Sequence, residues 1–257
     1  MSRQTFFSQL NQFFDHIYVL TLHRATDRHQ HIEKELSGLH YSFFFGKDKK
    51  TFDSNELKEK KIYDEQLAMQ HDRYSRPMQS GPIGCSWSHR LIYEDMLYHQ
   101  FKQVLILEDD VVVDEKTIDL WPVMINELPN NWSLFYLGFE GNEHVPTMSR
   151  VKQLYYHLLS SCKLIKYSHD TIRNLYPTKI SPHVYTTGWH NCTHAYALKS
   201  EAARTLIDLQ TPISFVADNL LAHAATNQQV KSYTLLPKLI NQQYQVMDKK
   251  THSFVNE

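Results

Sequence analysis

Two uninterrupted apolar runs, HIYVLTL at residues 16–22 and VLIL at residues 104–107, restrict the folds open to this chain. Neither run alternates with polar residues, as the strands of a half-exposed sheet do. Both therefore predict central strands that are covered on both faces. Helical stretches follow these runs, and strands and helices continue to alternate without an internal repeat. The pattern predicts an α/β fold with a mostly parallel, Rossmann-like central sheet flanked by helices.

The length of 257 residues suits one or two domains. At the N-terminus an apolar stripe at helical spacing predicts an amphipathic helix packed on the domain, with a membrane or partner-binding helix as the less favoured alternative. The stripe consists of Phe6, Phe7, Leu10, Phe13 and Phe14. We predict this helix at residues 1–15, a single domain at 16–245 and a C-terminal tail at 246–257.

Composition excludes several function classes. The 27 Lys and Arg nearly balance the 28 Asp and Glu, which argues against nucleic acid as a partner. With only 7 Gly, the chain contains neither a dinucleotide-binding nor a P-loop glycine motif, so a bound diphosphate must be held by other means. No signal peptide or spanning apolar run is evident, and the 3 scattered Cys form no C-x-x-C pair, so we expect a cytoplasmic protein.

Three consecutive acids, Glu108, Asp109 and Asp110, follow the second apolar run. Acids at the end of a buried strand are costly unless a cation offsets their charge. Carboxylate oxygens suit Mg²⁺ or Mn²⁺, and these ions keep positions open for water or phosphate. The alternative is a solvated strand end, with Asp114 and Glu115 nearby.

Cations and a glycine-containing segment accompany these acids. Arg24 and Arg28 follow the first strand, and ligands of open α/β sheets bind at the carboxyl ends of the strands. Both arginines are therefore predicted to reach the crevice of the acids, although each alone is more often a surface residue. Residues 81–89, GPIGCSWSH, predict a tight turn that leads into a helix over about 85–100 and presents N–H groups to a nucleotide or sugar.

Two segments receive no catalytic role. Residues 47–61 mix both charge signs, and we interpret them as a solvated helix or insertion without chemistry. Residues 141–190 show weak periodicity and predict loops and short elements over one face. Their aromatic residues either stack on acceptor sugars or pack as core and lid: Tyr155, Tyr156, Tyr185 and Trp189. Three late histidines remain weaker candidates for approaching a metal: His190, His194 and His223.

Six blocks in order across residues 16–243 resemble glycosyltransferase family 25, which includes bacterial lipopolysaccharide galactosyltransferases and collagen hydroxylysine galactosyltransferases. The blocks are IYVLTLHRATDRHQHIEKEL, GPIGCSWSH, VLILEDDVVV, LFYLG, THAYALKSEAARTLI, and FVADNLL followed by LLPKLINQQ. The resemblance implies a GT-A type fold, a UDP-sugar donor, a metal that is usually Mn²⁺, and inversion at the anomeric carbon.

The resemblance also implies roles for individual residues. Asp110 would bind the metal, Glu108 would touch the metal shell or the ribose, and Asp218 would be the general base. The implied donor-binding set is Arg24, Arg28, Gly84, Ser88, His89, Glu108 and Asp109. The sequence departs from the family pattern at four positions, which leaves donor and acceptor preference open: Thr21, Pro82, Asn191 and Cys192.

The function expected from this resemblance is transfer of a galactose or glucose from a UDP-sugar to a glycan or hydroxylysine-type acceptor. A lipid-linked acceptor would imply peripheral contact with the inner membrane. A non-catalytic nucleotide-sugar or glycan-binding protein on the same scaffold is the main alternative. The acids alone would also allow a metal-dependent phosphohydrolase, although the other blocks count against it. The oligomeric state stays open.

Overall fold

The structure is a computed structural model, and it describes residues 1–246. Its main sheet has eight strands in the order β2-β1-β3-β8-β5-β9-β7-β6, and a small sheet pairs β10 with β4. The strands are β1 His16–Thr21, β2 Ser42–Phe45, β3 Gln103–Glu108, β4 Val111–Val113, β5 Leu134–Glu140, β6 Thr178–Lys179, β7 Val184–Thr186, β8 Asn191–Lys199, β9 Ser232–Leu235 and β10 Ile240–Gln242. The helices are α1 Arg3–Phe13, α2 Thr26–Glu35, α3 Ser54–Glu59, α4 Glu65–His71, α5 Ser80–Tyr98, α6 Trp121–Glu127, α7 Ser149–Ser161, α8 His169–Arg173, α9 Ser200–Leu209, α10 Ala217–Thr226 and α11 Gln243–Val246.

The predicted fold class is confirmed. Strand β1 pairs in parallel with β2 and β3, and β5 pairs in parallel with β9. Strand β8 inserts antiparallel between β3 and β5, and β7 runs antiparallel to both of its neighbours. The other six strands of the main sheet share one direction, so the sheet is mostly parallel and flanked by helices, in a GT-A-like arrangement.

Burial on both faces explains the uninterrupted apolar runs. Val19, Leu105 and Leu107 join one apolar cluster, whereas Tyr18 and Ile106 point to the other. Helices α1, α2 and α6 cover the first face, and α5, α9 and α10 cover the second. Because successive side chains of a strand point to opposite faces, both sets of positions must be apolar.

Helix α1 packs into the first of these clusters. Its Ser2 cap accepts a hydrogen bond from the Thr5 N–H at 3.2 Å, and Phe6 and Phe7 are fully buried. The ring of Phe6 meets Trp121 of α6 edge-on at 5.9 Å. In the structure, the apolar stripe of α1 is therefore packed against the rest of the protein. The domain division stays a prediction, and the predicted tail lies outside the described residues except for residue 246.

The predicted tight turn at Gly81–Gly84 is wrong, because α5 begins at Ser80 and includes these residues. Proline is tolerated in the first turn of a helix, where its missing N–H is not needed. A Cβ at Gly84 would lie 2.6 Å from the Lys47 carbonyl oxygen, and one at Gly46 would lie 2.5 Å from Ser88 Oγ. These glycines therefore let α5 approach the loop after β2 closely.

The segment 141–190 contains more regular structure than predicted, since α7 spans 13 residues there. Its apolar side chains point outward while Gln153 faces the protein. Among residues 1–246, no helix is both long and apolar enough to cross a membrane.

Candidate active site

A cleft of about 450 Å³ opens at the carboxyl edge of β1 and β3. Because these neighbouring strands are parallel, Thr21 and Glu108 at their ends meet at one edge. Helices α2, α5 and α10 contribute further walls. The cleft brings together most of the charged groups predicted from the sequence, namely Arg28, Glu108, Asp109, Asp110 and Asp218.

Asp109 is held by two partners and is almost fully buried. Its Oδ2 accepts a hydrogen bond from Thr21 Oγ1 at 2.6 Å, and its Oδ1 accepts one from Arg28 Nη1. The same Arg28 nitrogen lies 3.8 Å from Asp110 Oδ2. Burial alone would lower the pKa of Arg28, but the charges of Asp109 and Asp110 raise it above its ordinary value. Arg28 therefore stays charged and partly neutralises the acids.

Glu108 and Asp110 both lie close to the side-chain amide of Gln242. Gln242 Nε2 donates to Asp110 Oδ1 at 3.2 Å and lies 3.5 Å from Glu108 Oε2, while Thr193 Oγ1 donates to Glu108 Oε1 at 2.7 Å. Burial and then the charge of Asp110 raise the pKa of Glu108 to about 8. Burial also raises the pKa of Asp110. The raised pKa values mean that the surrounding residues do not fully balance the charges of two ionised carboxylates.

This incomplete balance of charge is the observation that bears on a bound metal. Within residues 1–246, no three His, Cys, Asp or Glu side chains gather into a metal site. The cleft instead offers two carboxylates, which could hold Mg²⁺ or Mn²⁺ while water and phosphate oxygens fill the remaining positions. Such a cation would favour the ionised form of Glu108. The residues present therefore fit a metal that is completed by its ligand.

Asp218 lies in the first turn of α10 and lines the same cleft. Its Oδ2 accepts from the Cys192 N–H at 3.3 Å, and its Oδ1 accepts from the Asn219 N–H at 2.8 Å. Burial raises its pKa above the ordinary value despite these bonds. A fixed carboxylate with a raised pKa is a stronger proton acceptor than a solvated one.

Cys192 adopts a backbone conformation that favours glycine. Its φ is +63°, in the left-handed region, which costs a non-glycine residue roughly 1–2 kcal/mol. The strained residue aims its N–H at Asp218 and also lines the cleft.

A buried hydrogen-bond chain supports Glu108 from behind the cleft. Because the Thr193 hydroxyl donates to Glu108, it can accept from His89 Nε2 at 3.4 Å, and His89 Nδ1 then accepts from Tyr196 Oη at 2.8 Å. Tyr93 Oη lies 2.9 Å from Tyr196 Oη. Burial lowers the pKa of His89 to about 4, so the ring is neutral at pH 7.

The predicted donor-binding residues of the GPIGCSWSH segment differ in their access to the cleft. Ser88 lines the cleft, but its hydroxyl donates to the Gly84 carbonyl at 2.6 Å and accepts from the Lys47 N–H at 2.8 Å. Gly84 and His89 lie outside the lining of the cleft. Their contacts position the helix and Thr193 rather than reach into the cleft.

Arg24 and Arg28, predicted as a pair, diverge in the structure. Arg24 Nε donates to Asp48 Oδ2 at 2.5 Å, so this side chain ties down the loop after β2. That loop places Lys47, Asp48 and Lys49 on the cleft wall. The start of segment 47–61, predicted to be remote from any chemistry, therefore belongs to the site.

Several residues of the cleft were not predicted as site residues. Thr21, Thr193 and Gln242 hold the acids from positions 85 to 134 residues away in sequence. No local pattern around the acids indicates them. The available signal was the family resemblance, since Thr21 lies in the IYVLTL block, Thr193 begins the THAYALK block and Gln242 lies in the INQQ block. The three late histidines are not among the residues that line the cleft.

Comparison with known proteins identifies the family. The model of Glycosyltransferase family 25 (LPS biosynthesis protein) matches residues 14–221, a range that contains the acids and Asp218. The chain belongs to glycosyltransferase family 25. It is therefore a member of a transferase family, as the sequence resemblance implied.

Curated relatives match part of the chain. A glycosyltransferase 25 family member of Anopheles gambiae is 35% identical over 37% of this chain and 16% of the relative. Procollagen galactosyltransferase 2 of Homo sapiens is 29% identical over 49% of this chain and 21% of the relative. A protein of Bos taurus named probable inactive glycosyltransferase 25 family member 3 is 28% identical over 49% and 22%. The matched part thus spans about a fifth of each relative.

Among solved structures, apo mouse xyloside xylosyltransferase 1 is similar at 13% sequence identity. The match covers 84% of this chain and 62% of that protein, with a TM-score of 0.30.

Proposed function

We propose that this family 25 member is an inverting, metal-dependent hexosyltransferase that uses a UDP-sugar donor, either UDP-galactose or UDP-glucose. The acceptor is a hydroxyl of a glycan of the lipopolysaccharide or envelope-polysaccharide class, or a hydroxylysine-type hydroxyl. The observation that carries the proposal is one cleft that holds both the Glu108–Asp110 pair and the separate, basic Asp218. The Glu108–Asp110 pair could hold a metal that binds the diphosphate, and Asp218 could accept the proton of the attacking hydroxyl.

The reaction is a single displacement at C1 of the donor sugar. The acceptor oxygen bonds to C1 as its proton passes to Asp218, while the bond from C1 to the β-phosphate oxygen breaks and UDP leaves. Displacement from the opposite face inverts the anomeric centre. Mn²⁺ or Mg²⁺, held by Glu108 and Asp110, would neutralise charge on the departing diphosphate.

Other residues of the cleft prepare the site for this step. Arg28 holds Asp109 and offsets the charge of the acids. Lys47 and Lys49 also line the cleft and supply positive charge that diphosphate oxygens could meet. Thr193 and Gln242 orient the carboxylates, so that their oxygens are already placed before a donor arrives.

We also propose that the protein acts in the cytoplasm, at the periphery of the inner membrane if the acceptor is lipid-linked. Cys85, Cys162 and Cys192 are all unpaired in the structure, which suits a reducing compartment.

UDP release from UDP-galactose or UDP-glucose tests the proposal, with and without Mn²⁺ and acceptor. We expect chelation to abolish donor binding and turnover, and Asp110→Asn to abolish metal-dependent transfer. Asp208→Asn, an exposed acid on α9, is the matched control and should retain full activity. Normal turnover in Asp110→Asn would refute the metal assignment.

The same assay separates the alternatives. A non-catalytic binding protein would bind a UDP-sugar without releasing UDP. This alternative is worth testing because one relative is named probable inactive. A phosphohydrolase would release phosphate from simple esters and would need no sugar acceptor. Either result would overturn the transferase proposal.

A further inference from the structure

Helix α7 exposes a continuous apolar stripe, here called the α7 face, made of Val151, Leu154, Tyr155 and Leu158. Their side chains are 56 to 70% exposed. Of the thirteen large hydrophobic side chains that are exposed in residues 1–246, seven lie between 145 and 164. Exposed apolar residues scattered singly are ordinary, but a contiguous group marks an interaction surface.

The helical geometry shows that the stripe is narrow and ordered. At about 100° per residue, the four positions fall within roughly 100° of one another around the helix. Met148, in the turn before α7, extends the same line and is 65% exposed. From Met148 to Leu158 the apolar line is roughly 15 Å long.

The opposite side of α7 is fixed to the protein. Gln153 Nε2 donates to the Ile172 carbonyl oxygen at 2.8 Å and to the Arg173 carbonyl oxygen at 3.0 Å, which ties α7 to α8. Arg73 lies over the ring of Tyr156 at 6.0 Å. The α7 face therefore points away from the domain as a consequence of these contacts.

The segment that carries the α7 face has charges of one sign. Residues 144–169 contain no Asp or Glu. Arg150, Lys152, Lys163 and Lys166 are all exposed within this segment. Arg150 and Lys152 fall roughly 90–110° to either side of the stripe, so cations border its two long edges.

The nearest acids in sequence do not offset these cations, because each is paired elsewhere. Glu143 accepts from Lys238 Nζ at 2.7 Å, and Asp170 accepts from Arg173 Nη1 at 2.7 Å. The formal net charge of the whole chain is −1, so the segment contrasts in sign with the rest of the molecule.

We propose that the α7 face docks on the surface of a bilayer that contains anionic phospholipids. An apolar stripe with cations on both edges is the arrangement of helices that lie in the membrane interface, where the stripe enters the acyl boundary and the cations meet lipid phosphates. A second copy of the chain would bring the cations of two α7 faces together and is disfavoured by repulsion. The proposal stands apart from the transferase reaction, because binding to lipid needs neither donor nor acceptor.

The position of α7 gives this docking a consequence. Strand β5 ends at Glu140, which receives hydrogen bonds from Cys192 Sγ at 3.7 Å and from Tyr244, and both of these residues line the cleft. Helix α7 begins nine residues later. The chain that leads from β5 to α7 therefore leaves the sheet at the edge where the candidate active site lies.

Flotation of the whole protein with vesicles tests the proposal. We expect binding to phosphatidylcholine vesicles with about 30% phosphatidylglycerol, weaker binding at high salt, and little binding to phosphatidylcholine alone. The double variant Leu154→Gln/Leu158→Gln should bind at least about 10-fold more weakly. Arg150→Gln and Lys163→Gln should each weaken binding about 5-fold.

Matched variants of other exposed residues serve as controls. Val123→Gln on α6 and Arg204→Gln on α9 should bind vesicles as the unmodified protein does. Because all substituted side chains are exposed, far-ultraviolet circular dichroism and thermal unfolding should be unchanged. Equal vesicle binding by Leu154→Gln/Leu158→Gln would overturn the proposal. So would a dimer in solution that this variant abolishes, combined with no vesicle binding.

Discussion

Arg28 is predicted to stabilise the fold by balancing acids that are already buried. At 3.8 Å from Asp110, its charge contributes about 4 kcal/mol at an effective dielectric constant of about 20. Its contact with Asp109 is closer still, and the Arg28 side chain is only 18% exposed. Removing one partner of such a buried pair typically costs about 3–5 kcal/mol. We therefore expect Arg28→Gln to lower the free energy of unfolding by about 3 kcal/mol or more.

Urea unfolding followed by circular dichroism measures this loss at pH 7. Asp109→Asn can keep the hydrogen bond from Thr21, so the double variant Arg28→Gln/Asp109→Asn removes both charges without leaving that hydroxyl unpaired. We expect the double variant to lose at least about 1.5 kcal/mol less than the sum of the single losses. Arg204→Gln, on the exposed side of α9, should change stability by less than about 0.5 kcal/mol. Additive losses from the two single variants would show that Arg28 and Asp109 do not act as a pair.

Three further substitutions test the site. Relative to the unmodified protein, Asp218→Asn should gain free energy of unfolding as the pH rises to neutral, because burial raises the pKa of Asp218 and ionisation therefore opposes folding above that pKa. The gain should shrink as the pH falls through that pKa, while turnover drops about 10²- to 10⁴-fold with donor binding retained. A pH-independent gain in urea titrations would contradict this. Cys192→Gly should add about 1 kcal/mol by relieving the +63° φ, and an unchanged or lower midpoint would count against strain. Gly84→Ala should cost roughly 1–3 kcal/mol, since its Cβ would lie 2.6 Å from the Lys47 carbonyl oxygen; an unchanged melting temperature would show that this approach is relaxed.

The central strands could be predicted because burial on both faces leaves a direct trace in sequence. Val104 and Ile106 face one apolar cluster and Leu105 and Leu107 the other, so no position of the run can be polar. The three acids were also predictable, since their charge contrasts with the apolar run before them. The parallel register of β1 and β3 then determines that Arg28 and Asp109 meet.

The rest depended on contacts that no local pattern records. The spacing of Val151, Leu154, Tyr155 and Leu158 is helical and could have indicated α7, but the outward direction of this stripe reverses the usual relation between polarity and burial and could not be predicted. Arg24 resembles Arg28 in sequence, yet the loop after β2 supplies Asp48 as its partner. Gly84 was interpreted as a turn residue although its role is close packing. Each of these outcomes depends on the partner that the fold provides.

The small sheet of β4 and β10 has a consequence for the time at which the site is completed. Gln242, which lies over both carboxylates, follows Glu108 by 134 residues. At roughly 5–20 residues per second, about 7–27 s pass between synthesis of the two. Until then Glu108 and Asp110 have only partners that precede Gln242 in the sequence. A growing chain therefore has the carboxylates of the cleft before it has the amide that holds them in place.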